Sequence, residues 1–389
     1  MRIVRRRADV AFLFLGEMLL GPHLWPIVDA LAAMRPELSI DIWVSTSTHE
    51  ALVRSWISAR HDNIRIRRAP GFKRLAEFDH GRNPPLPYKI PLLLRLARYL
   101  SGSRLVVCAE QTSLWLPRLL PGLSRFIFTV HGAGPINDKR DGRLKCAHKI
   151  LIPSPLHTPT YISRGVRPER IVVTGYAKSA FQPSVVRSDL FAADRPILLY
   201  TPHWRRNFSS WWDWGADVAK MLADQRQFNV VIAPHQRLFE RDPGAAELLE
   251  KLARYDHVHV DCGSFAMVDG SYTQMADIYL GDSSSQVVEY LARPRPAIFL
   301  DSPGLTWRGA EKDGYWDCGD IVTDPARLWD TILAAKAHHP KYEQAQRNLV
   351  ARELGETGAV APRRSAEAIL AAMSTSRRQA RIPALLRAP

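Results

Sequence analysis

The chain has 389 residues, 46% hydrophobic and 24% charged, with 53 Lys and Arg against 39 Asp and Glu for a formal net charge of +14. This is an ordinary globular composition, too long for one average core, and it predicts two domains of roughly 150 to 200 residues each. No run approaches the ~20 apolar residues a bilayer-spanning helix needs, and Cys108, Cys146, Cys262 and Cys318 form no CxxC pair, which argues against a zinc knuckle or a disulfide framework.

The excess of positive charge favours an anionic partner, whether a phosphorylated substrate, nucleic acid or an acidic membrane surface. A reducing cytosol is the simplest setting for the dispersed cysteines, with any membrane contact peripheral. Arg5-Arg6-Arg7 followed by Val10 to Leu15 imitates a signal peptide, but Glu17 interrupts the apolar run and no small-residue cleavage site follows. The run is therefore expected to be a first buried strand.

From there short apolar runs alternate with helical spacing: Ile40 to Val44, Ile64 to Arg67, Leu105 to Cys108, Phe126 to Val130, Ile150 to Ile152 and Ile171 to Val173, with helices such as Leu24 to Met34 and Leu92 to Leu100 between them. Such alternation predicts a parallel α/β sheet. Gly175 to Pro196 breaks it with prolines and charges. It restarts with strands at Ile197 to Tyr200, Val230 to Ala233, Val258 to Val260, Ile278 to Leu280 and Ala297 to Leu300, and helices at Trp212 to Arg226, Ala245 to Arg254, Gln286 to Ala292 and Ala326 to Ala337.

The expected fold is thus α/β, two Rossmann-like domains facing across a cleft: 1–180 the acceptor side, 181–375 the nucleotide-donor side, and 376–389 a basic, mobile tail. A last helix near Ser365 to Ser374 is expected to pack back on the body. Ligands in such sheets bind at the carboxyl ends of strands. Neither a GxGxxG fingerprint nor a Walker pattern is present, and Gly16-Glu17-Met18 follows the first strand instead, which argues against NAD enzymes and P-loop NTPases.

Four strand ends carry candidate chemistry. Gly281-Asp282-Ser283-Ser284-Ser285 follows a strand and opens a helical pattern, gathering hydroxyls and backbone N–H groups where a phosphate would sit; the alternative is that Asp282 or a serine caps the helix. His131 begins His131-Gly132-Ala133-Gly134, where glycines permit close approach of a ligand and an imidazole can take a proton near neutral pH. The alternative is a loop histidine tied to the backbone.

His203 lies in Pro202-His203-Trp204-Arg205-Arg206, whose arginines suit phosphate oxygens or a solvated surface, and His235 follows Pro234 directly after another strand. Together these loops suggest that the second domain holds a nucleotide diphosphate and the first supplies a base. Glu289, one turn beyond Ser285, is placed to reach a ribose hydroxyl or to be an exposed helix residue. Trp211, Trp212 and Trp214 either line an acceptor groove or pack a helix start.

In order and spacing these motifs resemble the CDP-glycerol glycerophosphotransferase family, the GT-B-type enzymes of teichoic acid and related capsule polymers. The resemblance covers roughly residues 125 to 305. It rests on His131-Gly132, Val173-Thr174-Gly175-Tyr176, Thr201-Pro202-His203-Trp204-Arg205, Pro234-His235 and Ala276 to Ser285. It implies that His131 is the base for an acceptor hydroxyl, that His235 contacts the donor phosphates, and that Gly281 to Ser285 stands in for a Thr-Asp-Tyr-Ser-Ser diphosphate loop, with Ser283 in place of Tyr and Gly281 in place of Thr.

Glu289 matches that family's acidic position, and Pro202-His203-Trp204-Arg205 its Pro-Thr-Trp-Arg. The implied partners are a CDP-activated donor and a polymer or lipid-linked acceptor, with the protein peripheral on the inner face of the cell membrane. Metal dependence stays open, because no acidic cluster stands near the loop beyond Asp282. The competing readings are a nucleotide-sugar glycosyltransferase or UDP-amino-sugar 2-epimerase on the same cleft, and a basic nucleic-acid-binding protein. Dispersed arginines, and aromatics that fall mostly in apolar runs, argue against nucleic acid.

Overall fold

The computed structural model describes residues 8–75, 85–133, 142–304 and 314–374. Gly134 and the tail 376–389 lie outside the described residues. Two all-parallel sheets organise the chain. The first has strands β1 (Val10–Phe14), β2 (Ile40–Thr46), β3 (Ile64–Lys73), β4 (Leu105–Cys108), β5 (Arg125–Thr129), β6 (Lys149–Ile152) and β7 (Ile171–Val173), in the order β3-β2-β1-β4-β5-β6-β7. The second has β8 (Ile197–Thr201), β9 (Asn229–Ile232), β10 (Val258–Val260), β11 (Ile278–Gly281), β12 (Ala297–Leu300) and β13 (Asp320–Val322), in the order β10-β9-β8-β11-β12-β13.

The helices that matter below are α1 (Gly21–Met34), α2 (Ser47–Trp56), α3 (Lys89–Leu100), α4 (Ala216–Asp224), α5 (Pro243–Leu252), α6 (Ser285–Tyr290), α7 (Leu328–His338), α8 (Glu343–Glu353) and α9 (Val360–Ser374). Every residue of β1 is buried, because a parallel sheet is covered on both faces. Val10, Phe12 and Phe14 face one core with α1, whereas Ala11 and Leu13 face another with α3. The second sheet repeats the pattern, with Leu198 and Tyr200 on one side and Ile197 and Leu199 on the other. That alternation is the period of two that a strand imposes.

In both sheets chain order reverses beside the first strand, between β1 and β4 and between β8 and β11. Loops leaving those strands at their carboxyl ends diverge and open a crevice. The loop after β8 carries His203, and the loop after β11 carries Ser283 to Ser285. Strand β13 had no counterpart among the sequence expectations: it is three residues long, begins with an acid and lies at the sheet edge.

α9, counted with the second half in the sequence reading, lies against α1. Its Ala366, Ile369, Ala372 and Met373 are buried in the first domain's core, and Arg125 Nη1 and Arg104 Nη2 bond the carbonyls of Ala372 and Met373. The chain thus crosses between the halves twice. Among the described residues no helix is long and apolar enough to cross a membrane, and none of the four cysteines is in a disulfide.

Gly175, at the first crossing, has φ +86°, and a Cβ there would stand 2.5 Å from the carbonyl oxygen of Glu356. The same carbonyl accepts the Tyr176 N–H at 2.8 Å. Both the left-handed conformation and the close approach require glycine. Gly175→Ala is expected to destabilise the fold by about 2–4 kcal/mol, read as a Tm lowered by several degrees; an unchanged Tm would contradict this account of the crossing.

Candidate active site

A cleft of about 210 Å³ opens where the two sheets' loops meet, bounded by His23, Gly132 and Lys178 on one side and by His203, His235, Ser284, Ser285, Gln286 and Glu289 on the other. Three histidine loops and the serine loop, far apart in sequence between His131 and Ser285, therefore converge. His131 stands next to this lining, its ring edge-on to His23 at 6.1 Å between centroids. Gly132 has φ +83° with open space where a Cβ would be, so backbone conformation alone calls for glycine there.

The hydrogen bonds made by the imidazoles assign their neutral tautomers. His131 Nδ1 lies 2.5 Å from the carbonyl oxygen of Ala109, beyond β4. A carbonyl only accepts, so Nδ1 carries the proton and Nε2 keeps a lone pair. His203 and His235 show the opposite pattern: His203 Nδ1 accepts the N–H of Arg205 at 3.1 Å, and His235 Nδ1 accepts that of Arg237 at 3.2 Å. Their Nε2 atoms therefore carry the protons and act as donors.

The two rings lie 6.0 Å apart. Burial, followed by the Arg205 charge, lowers the pKa of His203 to about 4; burial, followed by the neighbouring His203 and Arg237, lowers that of His235 to about 3. Burial lowers that of His131 as well, against the Ala109 hydrogen bond and the charges of Glu17 and Glu110. All three imidazoles are neutral at pH 7.

In the loop after β11 it is Asp282 that departs from the sequence reading. Asp282 neither caps the helix nor faces the cleft; it is 2% exposed. Its Oδ2 accepts the N–H of His203 at 2.7 Å and its Oδ1 that of Ser210 at 3.0 Å. The N-cap position of α6 belongs to Ser284, whose side chain makes no capping bond. The hydroxyls of Ser283 and Ser284 are buried with no hydrogen-bond partner, which is uncommon for buried polar atoms.

Glu289 lines the cleft without standing free. Its Oε1 accepts from Tyr176 Oη at 2.6 Å and from Lys178 Nζ at 2.8 Å, and its Oε2 from Lys178 Nζ at 2.7 Å. Arg205 points elsewhere than expected: it is exposed, and its guanidinium lies over the Trp204 ring at 4.9 Å. Arg237 and Arg241 cover the same indole at 5.3 and 4.8 Å. Arg237 also reaches across the cleft to Glu17 at 3.2 Å. A cationic rim therefore surrounds a floor of neutral imidazoles.

Trp211 is buried in the second core and donates Nε1–H to Asp242, while Trp212 and Trp214 pack against that core. These tryptophans belong to a π-turn at Trp211–Gly215 ahead of α4. The packing reading holds for them. His23, Lys178 and Gln286 were not among the sequence candidates, although His23 follows the loop of a first-sheet strand, the same signal that marked His131. Among the described residues no group of three or more His, Cys, Asp or Glu is arranged to hold a metal ion.

No protein-family model matches the chain, and no curated protein matches it. Solved structures do. The wall teichoic acid polymerase TagF aligns with TM-score 0.62 and 16% identity over 94% of this chain and 88% of its own. Anabaena Alr3699/HepE, solved in complex with UDP and glucose, aligns with TM-score 0.53 and 14% identity over 94% and 100%. A UDP-N-acetylglucosamine 2-epimerase aligns with TM-score 0.61 and 13% identity over 96% and 98%. At these identities the likeness is one of fold: the chain has the two-domain α/β architecture of the GT-B type.

The raised pKa of Asp282, about 6 against an ordinary 3.8 and caused first by burial, gives a pH signature. The folded state holds this proton more tightly than the unfolded chain, so its stabilising contribution is complete below pH 3.8 and disappears as pH rises through 6. The difference is on the order of 3 kcal/mol. The Tm difference between wild type and Asp282→Asn should move against wild type across this interval and level off above it. A difference independent of pH would show that Asp282 titrates alike in the folded and unfolded chain.

Proposed function

We propose that the chain is a transferase moving glycerophosphate, or a related polyol phosphate, from a CDP-activated donor to an acceptor hydroxyl in cell-surface polymer synthesis. The observation that carries this reading is the opposed tautomers of the cleft histidines. His131 offers a lone pair from the first domain, while His203 and His235 offer N–H donors from the second. An acceptor hydroxyl gives its proton to His131 Nε2 as its oxygen forms a bond to the phosphorus bearing the polyol. The bond from that phosphorus to the bridging oxygen breaks, and CMP leaves with the electron pair.

His203, His235, and the unpaired hydroxyls of Ser283 and Ser284 hydrogen-bond the phosphate oxygens as charge shifts toward the leaving group. Glu289, held by Lys178 and Tyr176, meets the donor's ribose. Arg205, Arg237 and Arg241 on Trp204 attract the anionic polymer or lipid-linked acceptor, and an acidic membrane surface, to the mouth of the cleft. The fold likeness to teichoic acid polymerase TagF and the sequence resemblance both support this choice of donor.

A nucleotide-sugar glycosyltransferase is the second reading. It is supported by the equally long fold match to HepE, solved with UDP and glucose, and by the replacement of the family's tyrosine by Ser283.

Purified protein given CDP-glycerol and a glycerol phosphate acceptor is expected to release CMP. His131→Ala should lower kcat by about 10²–10⁴-fold, and His235→Ala by about 10²-fold. Release of UDP or an epimerised sugar from the corresponding UDP donor, with no CMP from CDP-glycerol, would sink the proposal; full turnover by both variants would sink the mechanism.

The pH dependence is a separate check. His131 must be neutral to accept a proton, and its pKa lies below the ordinary 6.5. The acid limb of kcat/KM should therefore have its midpoint below pH 6.5. A midpoint above that value would assign the limb to another group.

A further inference from the structure

One titratable side chain in the cleft has no part in the chemistry above. His23 lies in the first turn of α1 and is 4% exposed. It lines the cleft, with its ring edge-on to His131 and, at 5.5 Å, to Tyr176. Among the described residues neither of its ring nitrogens has a hydrogen-bond partner.

Two other buried histidines of the same domain look different, whereas His157, outside the cleft lining, also leaves Nδ1 without a partner. His49, also 4% exposed, uses both nitrogens: Nδ1 meets Thr46 Oγ1 at 2.7 Å, and Nε2 meets the carbonyl oxygen of Gly16 at 2.9 Å. His61, 3% exposed, bonds Ser58 through Nδ1 and Asp29 through Nε2. Those are histidines satisfied by the fold. His23 is as little exposed but makes no such bonds, and it lines the cleft, where a ligand would supply the partner.

Its neighbours limit what it does. Burial, then the charge of Lys178, then His131, hold its pKa well below the ordinary value, so it remains a neutral donor and acceptor and leaves the proton to His131. We propose that His23 contacts the acceptor alcohol directly, donating a hydrogen bond to its oxygen so that its proton faces His131 Nε2 and its remaining lone pair faces the phosphorus. His23 binds and aims, and His131 removes the proton; the bonds formed and broken are those given above. The inference rests on the transferase reading of this cleft.

Two measurements test it. In steady-state kinetics His23→Ala should raise the KM for acceptor and lower kcat, together costing at least about tenfold in kcat/KM. Donor Kd by calorimetry should stay within about twofold, and His23→Gln, which keeps an N–H donor, should recover most of the loss. A variant that keeps its acceptor kinetics, or that loses donor and acceptor affinity equally, overturns the proposal, as does failure of Gln to recover activity while Tm is unchanged.

The second measurement needs no turnover. Glycerol 3-phosphate is titrated into wild-type protein while the imidazole Cε1–H resonances are followed, with His23 and His131 assigned by the peaks missing from His23→Gln and His131→Gln. Shifts at both residues support direct contact. A shift at His131 alone, or at neither, overturns it. If no CDP-activated donor is turned over, the transferase reading fails, while these resonances still report whether an alcohol sits against His23.

Discussion

The site depends on one buried carboxylate. Asp282 leaves β11 at the point where strand order reverses, and it accepts the backbone N–H groups of His203 and Ser210 from the loop after β8. A loop that crosses a strand end has amide groups with no ladder to join, and buried amides must find acceptors. Asp282 supplies two acceptor atoms from the adjacent strand, fixing the β8 loop against the β11 loop. His203, its neighbour His235, Ser284 and Ser285 thereby face one crevice. The carboxylate bears the desolvation that this requires, which is why its pKa rises despite several hydrogen bonds that favour the charged form.

Much of this architecture was legible in the residues. Twelve of the strands coincide, within a residue or two at most ends, with apolar runs such as Val10 to Leu15 and Ile278 to Leu280, because central parallel strands are buried on both faces and read as continuous hydrophobic segments. β3 is the chief departure at its end, running on to Lys73 through residues too basic to read as buried strand. The site loops were legible for a different reason: polar residues placed directly after such runs stand at carboxyl ends. Side-chain direction was not legible. Spacing placed Asp282 beside the serines and Arg205 beside His203, yet one turns inward under the loop and the other lies outward on Trp204. Those choices are made by the amides of a loop 72 to 79 residues away and by an indole face, and neither contact leaves a periodicity.

Histidine roles were even less accessible from sequence. His131, His203 and His235 all follow strands, and nothing in their local sequence distinguishes a proton acceptor from a donor. The distinction comes from whether Nδ1 meets a carbonyl or an amide. Ala109 presents its carbonyl to His131 from the neighbouring strand end, whereas His203 and His235 each receive the amide two residues ahead in their own loops. The first is a tertiary contact and the others are local turns. One residue type thus offers a lone pair on one side of the cleft and an N–H on the other.

Charge is distributed to match. The imidazoles at the centre are neutral because burial disfavours their cations, and the two that carry the proton on Nε2, His203 and His235, can donate a hydrogen bond there without a change of charge. Full charges are paired: Lys178 of the connecting segment with Glu289 of α6 within the cleft lining, and Arg237 of the second domain with Glu17 of the first at its rim. The Lys178–Glu289 pair is nearly buried, with side chains 10% and 12% exposed, and removing one member of such a pair leaves the other uncompensated. The Arg237–Glu17 pair is far more exposed and contributes correspondingly little energy. The connection between the halves is therefore firm beside α6 and weak at the rim, where three guanidinium groups share one indole.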